Sequence, residues 1–239
     1  MRRLALAVIA VLLAWAAPAA AQAPTAAPPP EPAPPPQVMP GPPQMQPPPP
    51  PQAMPAPPAD PTAHRHAGVY LHLDLGLGAL VSSASTPLGD AKISGAGGNF
   101  SVAVGAAISE NFIVAGHVWD HVASNPTVTL AGMSASSTNS SLTLVGLGLD
   151  LTWYDMPSNF YITMTPAITS LSVDVGGSTS NTENGLGFQL TAGKEWWVSD
   201  HWGMGLNLQL AVSSNKDKGT NPPTWGSSSV AVAFSATYN

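Results

Sequence analysis

The sequence predicts an all-β protein, an eight-stranded antiparallel up-and-down transmembrane β-barrel preceded by a disordered Pro-rich segment. Three observations predict this fold. From Gly68 onward, apolar residues alternate with small or polar ones at the period of a β-strand. The alternating segments are long, and the connections between them are alternately long and short. Helix is disfavoured because glycine and β-branched residues fill these stretches.

The first predicted strand, Val69–Ala79, shows the alternation clearly. One face carries valine and leucine, and the other carries tyrosine, histidine, aspartate and glycine. Seven more segments follow the same pattern, which predicts eight strands in all. The predicted strands cover residues 69–79, 98–108, 111–122, 141–154, 159–173, 185–198, 201–213 and 229–238.

Strand length and loop length favour a membrane barrel over a soluble sheet. Soluble strands usually have about 5–6 residues, whereas a tilted membrane strand needs about 9–11. Long Ser/Thr/Asn-rich connections are predicted at 81–97, 123–140, 174–184 and 214–226, and tight turns at Glu110, Asp155–Ser158 and Ser199–Asp200. Long loops at one end and short turns at the other are typical of outer-membrane barrels. A soluble sandwich would hide the same apolar faces between two sheets and is the disfavoured alternative.

Two N-terminal segments precede the predicted barrel of residues 68–239. Residues 1–21 combine Arg2 and Arg3 with a short apolar run and small residues, which predicts a cleaved signal peptide. Residues 22–67 form the Pro-rich linker, with 20 prolines between Pro24 and Pro61. Proline donates no amide hydrogen bond, so we expect extended polyproline II, on the order of 100 Å long. This linker is either a tether that contacts the cell wall or a spacer with no partner.

Composition excludes several classes of function. Only 8% of residues are charged, and removal of the signal would leave five Lys and Arg against 13 Asp and Glu. Such an acidic chain without a basic cluster is a poor candidate for binding nucleic acid. Because the chain has no cysteine, it has no thiol nucleophile, disulfide or lipoprotein acylation site.

The strand period also predicts which side chains face the lumen. An eight-stranded barrel is just wide enough for its own side chains to fill it, so we expect a polar network there. No arginine follows Arg65, so His72, His117 or His121 are the expected partners of the buried carboxylates. Replacement of one lumen residue, Asn207→Ala, is expected to be mild. The predicted lumen network is His72, Asp74, His117, His121, Asp150, Gln189, Glu195, Asn207 and Gln209.

Aromatic residues concentrate near the tight-turn ends of the strands, where an interface girdle would place them. The predicted girdle is Phe112, Trp153, Phe160, Trp196, Trp202 and Tyr238. Lys194 lies on the outward phase nearby and is expected to extend its ammonium to the rim, unless a bulge at Gly193 turns it inward.

No catalytic, cofactor-binding or metal-ligating residues are predicted. His117 and His121 would be a metal pair on a helix, but on a strand they lie roughly 13 Å apart. An Asp120–His121 pair could activate a serine, as in barrel enzymes that modify lipids, but no local motif of those enzymes is present.

Residues 68–238 resemble the small eight-stranded outer-membrane barrels, the class of the OmpA transmembrane domain, OmpX and OmpW. Gly193–Gly203 is similar to the strand–turn–strand units of such families. The resemblance implies contact with outer-membrane lipid and insertion by the barrel-assembly machinery, which reads a terminal aromatic residue. Here Tyr238 takes that place and is followed by Asn239.

Three hypotheses for function follow. The leading one is a non-enzymatic barrel in the bacterial outer membrane, with a structural, envelope-stabilising or surface-interaction role and its Pro-rich segment in the periplasm. The second is a narrow channel for small or hydrophobic solutes, for which Pro166 within a strand could mark a side opening. The third is an outer-membrane lipid-modifying enzyme.

Overall fold

A computed structural model describes residues 64–156 and 158–239. The signal peptide and nearly all of the Pro-rich linker lie outside the described residues. The described part is all-β, with eleven strands. In chain order they are β1 (Val69–Thr86), β2 (Gly89–Ser109), β3 (Phe112–Ser124), β4 (Thr127–Leu130), β5 (Met133–Ser136), β6 (Ser140–Asp155), β7 (Phe160–Val175), β8 (Ser178–Asn181), β9 (Gly185–Trp197), β10 (Trp202–Lys216) and β11 (Thr224–Tyr238).

The eight long strands close into the predicted antiparallel barrel. Each pairs with its neighbours in the order β1-β2-β3-β6-β7-β9-β10-β11, and β11 returns to pair with β1. This last ladder, which we call the seam, runs from Leu71↔Tyr238 to Ser83↔Gly226. The closed ladder confirms the all-β, eight-stranded antiparallel barrel and the resemblance to small eight-stranded barrels. Closure leaves no open sheet edge around the wall, so its backbone groups are largely paired, with one break in the β6–β7 ladder between Gly148↔Ala167 and Leu151↔Met164.

The strands extend further than the sequence predicted at one end of the barrel. Residues 81–97 were expected to form a long loop, but β1 and β2 pair without interruption from Val69↔Ala106 to Thr86↔Gly89. The connection consists only of Pro87 and Leu88, followed by Gly89 at φ 115°. Glycine suits this left-handed backbone because it has no Cβ.

The other long connections also contain strands. A hairpin, β4–β5, pairs with the extension of β2, and β8 pairs with the extension of β7. We call this end of the barrel the loop end and the opposite end the turn end. The turns at the turn end are short, as predicted, and lie between β2 and β3, β6 and β7, and β9 and β10.

Candidate functional site: the interior, its mouth and the outer face

Asp74 is the centre of a buried polar network. It is 4% exposed on β1, and its two carboxylate oxygens accept four hydrogen bonds. The donors are Ser101 Oγ at 2.8 Å, Asn207 Nδ2 at 2.7 Å, Gln209 Nε2 at 3.0 Å and His72 Nε2 at 3.0 Å. Because these donors lie on β1, β2 and β10, one carboxylate connects three strands.

The same network continues through His72 to Glu195. The His72 Nδ1 atom lies 2.7 Å from Thr237 Oγ1, and that hydroxyl donates to Glu195 Oε1 at 2.6 Å. The imidazole therefore lies between two carboxylates, with Glu195 Oε1 at 3.5 Å. Thr237 lies on β11 and Glu195 on β9, so these contacts join strands on both sides of the seam. We call this set the seam network.

A second, smaller network surrounds Asp150 on the other side of the barrel. Asp150 Oδ1 lies 2.8 Å from His117 Nδ1 and accepts from Thr165 Oγ1 at 2.5 Å. These residues join β3, β6 and β7. The histidine–aspartate pairing expected from the lack of arginine is thus present at two places.

All nine predicted lumen residues are at most 5% exposed, but they do not form one network. Five belong to the seam network and two to the Asp150 network. Gln189 bonds its neighbour Thr191 at 3.4 Å, and His121 packs edge-on against Trp119 with ring centroids 5.5 Å apart. The Nε2 atom of His121 has no hydrogen-bond partner within the described chain.

Two apolar clusters lie in the interior, one on the loop-end side of the polar networks and one on the turn-end side. The loop-end cluster includes Trp119, Leu142, Leu144, Leu171 and Trp225, each at most 1% exposed. The turn-end cluster consists of Tyr70, Ala103, Ile113, Ala115, Tyr154 and Tyr161. Sequence reasoning missed both clusters because it assigned the inner face as polar throughout. The sequence does indicate the loop-end cluster. Near the loop end of β6 and β7 the inward residues are apolar and the outward ones are polar; the inward residues are Leu142, Leu144, Leu171 and Val173.

The outer face carries a continuous apolar band. On β10 the outward residues from Trp202 to Val212 are all apolar and 39–55% exposed. At about 3.3 Å per residue and a tilt of about 40°, this stretch spans about 25 Å along the barrel axis. Beyond it the outward residues are Ser214 and Lys216. The six predicted girdle residues are exposed on this face by 38–51%: Phe112, Trp153, Phe160, Trp196, Trp202 and Tyr238.

Polarity inverts along the barrel axis on part of the wall. Beside the apolar band the interior is polar. At the loop end the exterior is polar and the inward residues of β6 and β7 are apolar, whereas on β10 the inward residues Ser213 and Asn215 stay polar. On β7, for example, outward Ile168 is followed by Ser170 and Ser172, while inward Thr169 is followed by Leu171 and Val173. The barrel wall is therefore arranged for an apolar surrounding along the band and for water at the loop end.

The segment before β1 covers the mouth at the turn end. His66 is 2% exposed, and its ring lies 3.8 Å from that of Tyr154 on β6, which is on the far side of the barrel from β1. The His64 amide donates to Asp200 O at 3.1 Å, and Arg65 pairs with Glu110 at 3.1 Å. These contacts hold residues 64–67 across the opening.

Burial lowers the pKa of His66, and the charge of Glu195 opposes this effect. Asn159 and Asn239 lie beside the ring. Neither ring nitrogen, however, meets hydrogen-bond geometry with a described residue. The neutral imidazole therefore fits this position better than the charged form.

The described residues contain no group of three or more metal-ligating side chains. Asp120 and His121 lie on opposite faces of β3: Asp120 accepts the Phe100 amide at 3.1 Å on the outside, and His121 is buried. They therefore cannot act together on one serine.

Lys194 projects outward, as expected from its phase, and donates to Ser158 O at 2.6 Å. No helix in the described part of the chain is long and apolar enough to cross a membrane.

Comparisons with known proteins give structural likenesses only. No protein-family model matches the chain, and no curated protein matches it. Neisserial surface protein A superimposes with a TM-score of 0.47 at 18% identity, covering 72% of this chain and 97% of that one. OprG from Pseudomonas aeruginosa gives 0.45 at 10% identity, covering 74% and 99%. Ail of Yersinia pestis, solved with the heparin analogue sucrose octasulfate, gives 0.37 at 6% identity, covering 70% and 99%.

Proposed function

We propose that this chain spans the outer membrane of a Gram-negative bacterium as a closed, non-enzymatic barrel with a structural or surface-interaction role. The apolar outer band, together with the inversion of polarity that follows it on β6 and β7, carries the proposal. A soluble barrel has no reason to expose apolar residues on one stretch of its wall and bury them on the next. A bilayer around the band explains both stretches, because the band matches the about 25 Å height of the apolar zone of such barrels.

The packed interior favours a structural role over transport. The loop-end and turn-end clusters fill the barrel on either side of the polar networks, with Leu142, Leu144 and Leu171 fully buried. A solute crossing the barrel would have to displace these side chains, at about 1.5–3 kcal/mol for each large apolar group exposed.

We further propose that the loop end faces the cell exterior and that the turn end and the Pro-rich segment face the periplasm. Residues 64–67 already lie at the turn end, so the segment that precedes them starts on that side. The partners in this proposal are outer-membrane lipid around the band, the barrel-assembly machinery at the end of β11, and the cell wall for the Pro-rich segment.

One observation favours the channel as a second candidate. The β6–β7 ladder is interrupted between Gly148↔Ala167 and Leu151↔Met164, and Pro166 lies within the stretch of β7 that this leaves unpaired with β6. Proline has no amide hydrogen to contribute, so this part of the wall is weaker than its surroundings. An opening here would lead sideways to Asp150 rather than along the axis.

Planar-bilayer recording and migration on gels test the proposal together. We expect the refolded chain to migrate differently before and after boiling, since closed barrels resist detergent, and to show no conductance steps. Steps that disappear when Pro166 is replaced by valine would favour the channel. Lipid A that differs in mass between cells with and without the gene would favour the enzyme. A chain that stays soluble in the periplasm would refute the membrane proposal.

A further inference from the structure

A crevice of about 580 Å³ lies at the turn end of the seam. Its lining is Arg65, Ala67, Gly68, Val69, His201, Tyr238 and Asn239. The strand register explains why it exists. The last rung of the seam joins Leu71 to Tyr238, so Val69 and Tyr70 extend beyond β11 and pair only with β2. We call this crevice the seam notch.

The seam notch lies at the turn-end border of the outer apolar band. Val69 is 65% exposed and is the first outward residue of β1. Tyr238 is the last outward residue of β11, and its ring packs against that of Trp202 at 5.3 Å, within the girdle. One side of the notch therefore continues into the apolar wall, and the other faces the aqueous side of the turn end.

Arg65, His201 and Asn239 provide the polar side of the notch, and Arg65 is the permanently charged member of this lining. Arg65 is the only arginine between residues 64 and 239. Its Nη1 atom pairs with Glu110, but both side chains are 58% exposed, so the ion pair is weakly held. A guanidinium has five N–H donors and binds phosphate oxygens in pairs, which leaves Arg65 able to bind an anion as well.

We propose that the seam notch binds the phosphate headgroup of a glycerophospholipid from the leaflet on the turn side. Arg65 contacts the phosphate, and an acyl chain lies along Val69, Leu71 and Tyr238. A soluble phosphate compound would gain nothing from the apolar wall, whereas a lipid uses both sides of the notch. This inference rests on the proposed insertion into a membrane.

Native mass spectrometry of the refolded full chain, released from micelles that contain phosphatidylglycerol, tests the inference. We expect one tightly retained lipid on the unaltered chain and about tenfold less on Arg65→Gln, since charge-assisted hydrogen bonds are lost. Glu110→Gln is the decisive partner variant, because it breaks the same ion pair but frees the guanidinium. It should retain at least as much lipid as the unaltered chain.

Lys194→Gln serves as the matched control, since it removes another turn-end cation that lies outside the notch. It should retain lipid normally. Equal retention by Arg65→Gln and the unaltered chain would overturn the inference, and so would equal loss in Arg65→Gln and Glu110→Gln. Complete displacement of the lipid by inorganic phosphate would show that the notch binds a simple anion and not a lipid, which would also overturn the inference. If the unaltered chain itself shows no heat-modifiable migration, the proposed membrane function fails instead.

Discussion

The buried carboxylates depend on individual hydrogen-bond donors. Asn207 donates to Asp74 Oδ1 and to the hydroxyl oxygen of Tyr161, at 2.7 and 2.9 Å. Asn207→Ala, expected from strand phase alone to be mild, removes both of these hydrogen bonds. We now expect it to destabilise the barrel by about 1–3 kcal/mol, because a buried charged acceptor loses a donor.

Urea unfolding of the refolded barrel measures this effect. Ser213→Ala is the matched control, since Ser213 also faces inward on β10 but its Oγ has no hydrogen-bond partner within the described chain. Equal unfolding midpoints for the two variants would show that Asn207 does not support Asp74.

Glycine on the inner wall makes room for the indole of Trp119. A Cβ added at Gly146 would overlap ring atoms of Trp119, whereas one added at Gly116 would meet only Val104 O, at 3.9 Å. We expect Gly146→Ala to destabilise the barrel by about 1–3 kcal/mol through overpacking, and Gly116→Ala to have little effect. The double variant Gly146→Ala with Trp119→Leu should lose less stability than the sum of the two single variants, because the smaller side chain leaves room for the new methyl group. Additive losses, measured by urea unfolding, would contradict this packing.

The buried imidazole at the mouth gives the barrel a pH dependence. Because the pKa of His66 is lower when folded than the ordinary 6.5, the unfolded chain binds more protons just below that value. The contribution of the buried His66 side chain to the free energy of unfolding is thus complete above about pH 6.5, and it declines as the pH falls towards the lowered pKa. His66→Phe keeps a ring against Tyr154 and removes the titration. The unfolding midpoint should fall less between pH 7 and pH 5 in this variant, and an equal fall would rule out His66 as the cause.

At the scale of the strand, the position of a residue along the barrel decides what a charge costs. Leu206 lies in the middle of the outer apolar band on β10, and Ser214 lies on the same face of the same strand beyond it. Leu206→Arg should impair folding into vesicles by about 2–4 kcal/mol, and Ser214→Arg by about 0–1 kcal/mol. Folding yield, read as heat-modifiable migration, measures both, and equal yields would place the bilayer elsewhere.

The sequence predicted the strands best where they line the band. There the outward face is apolar and the inward face is polar or small, so the period of two is clear. Beyond the band both faces of β1 mix small and hydroxyl residues, as in Val81-Ser-Ser-Ala-Ser-Thr86, and the alternation in hydropathy is lost. The strand continues because its backbone still pairs with β2, a long-range contact that local pattern does not encode.

For the molecule as a whole, the proposed orientation can be tested with single thiols because the chain has no cysteine. Ser136→Cys and Ser178→Cys lie at exposed positions of the loop end, and Ser199→Cys lies in an exposed turn at the opposite end. A membrane-impermeant maleimide should label the first two on intact cells and the third only after lysis. The reverse pattern would invert the orientation. Labelling of Ala56→Cys on intact cells would place the Pro-rich segment outside the cell.

The interior could be predicted in composition but not in connectivity. Strand phase identifies inward residues such as His72 and Glu195, yet it cannot tell which of them meet across the barrel. That depends on the stagger of all eight strands, which places Asp74 on β1 beside Asn207 on β10. The division into polar networks and apolar clusters emerges only from this three-dimensional register.

The seam has a consequence for the order in which the barrel folds. The other long ladders join strands that are consecutive around the wall and near each other in sequence, as in the β1–β2 hairpin. The seam alone joins strands from opposite ends of the barrel sequence, such as Leu71 and Tyr238. Closing so long a loop carries the largest entropic cost of any pairing and slows the step that requires it. We therefore expect the seven hairpin ladders to form first as a curved open sheet, with the seam and the hydrogen bonds of Thr237 forming in the rate-limiting step.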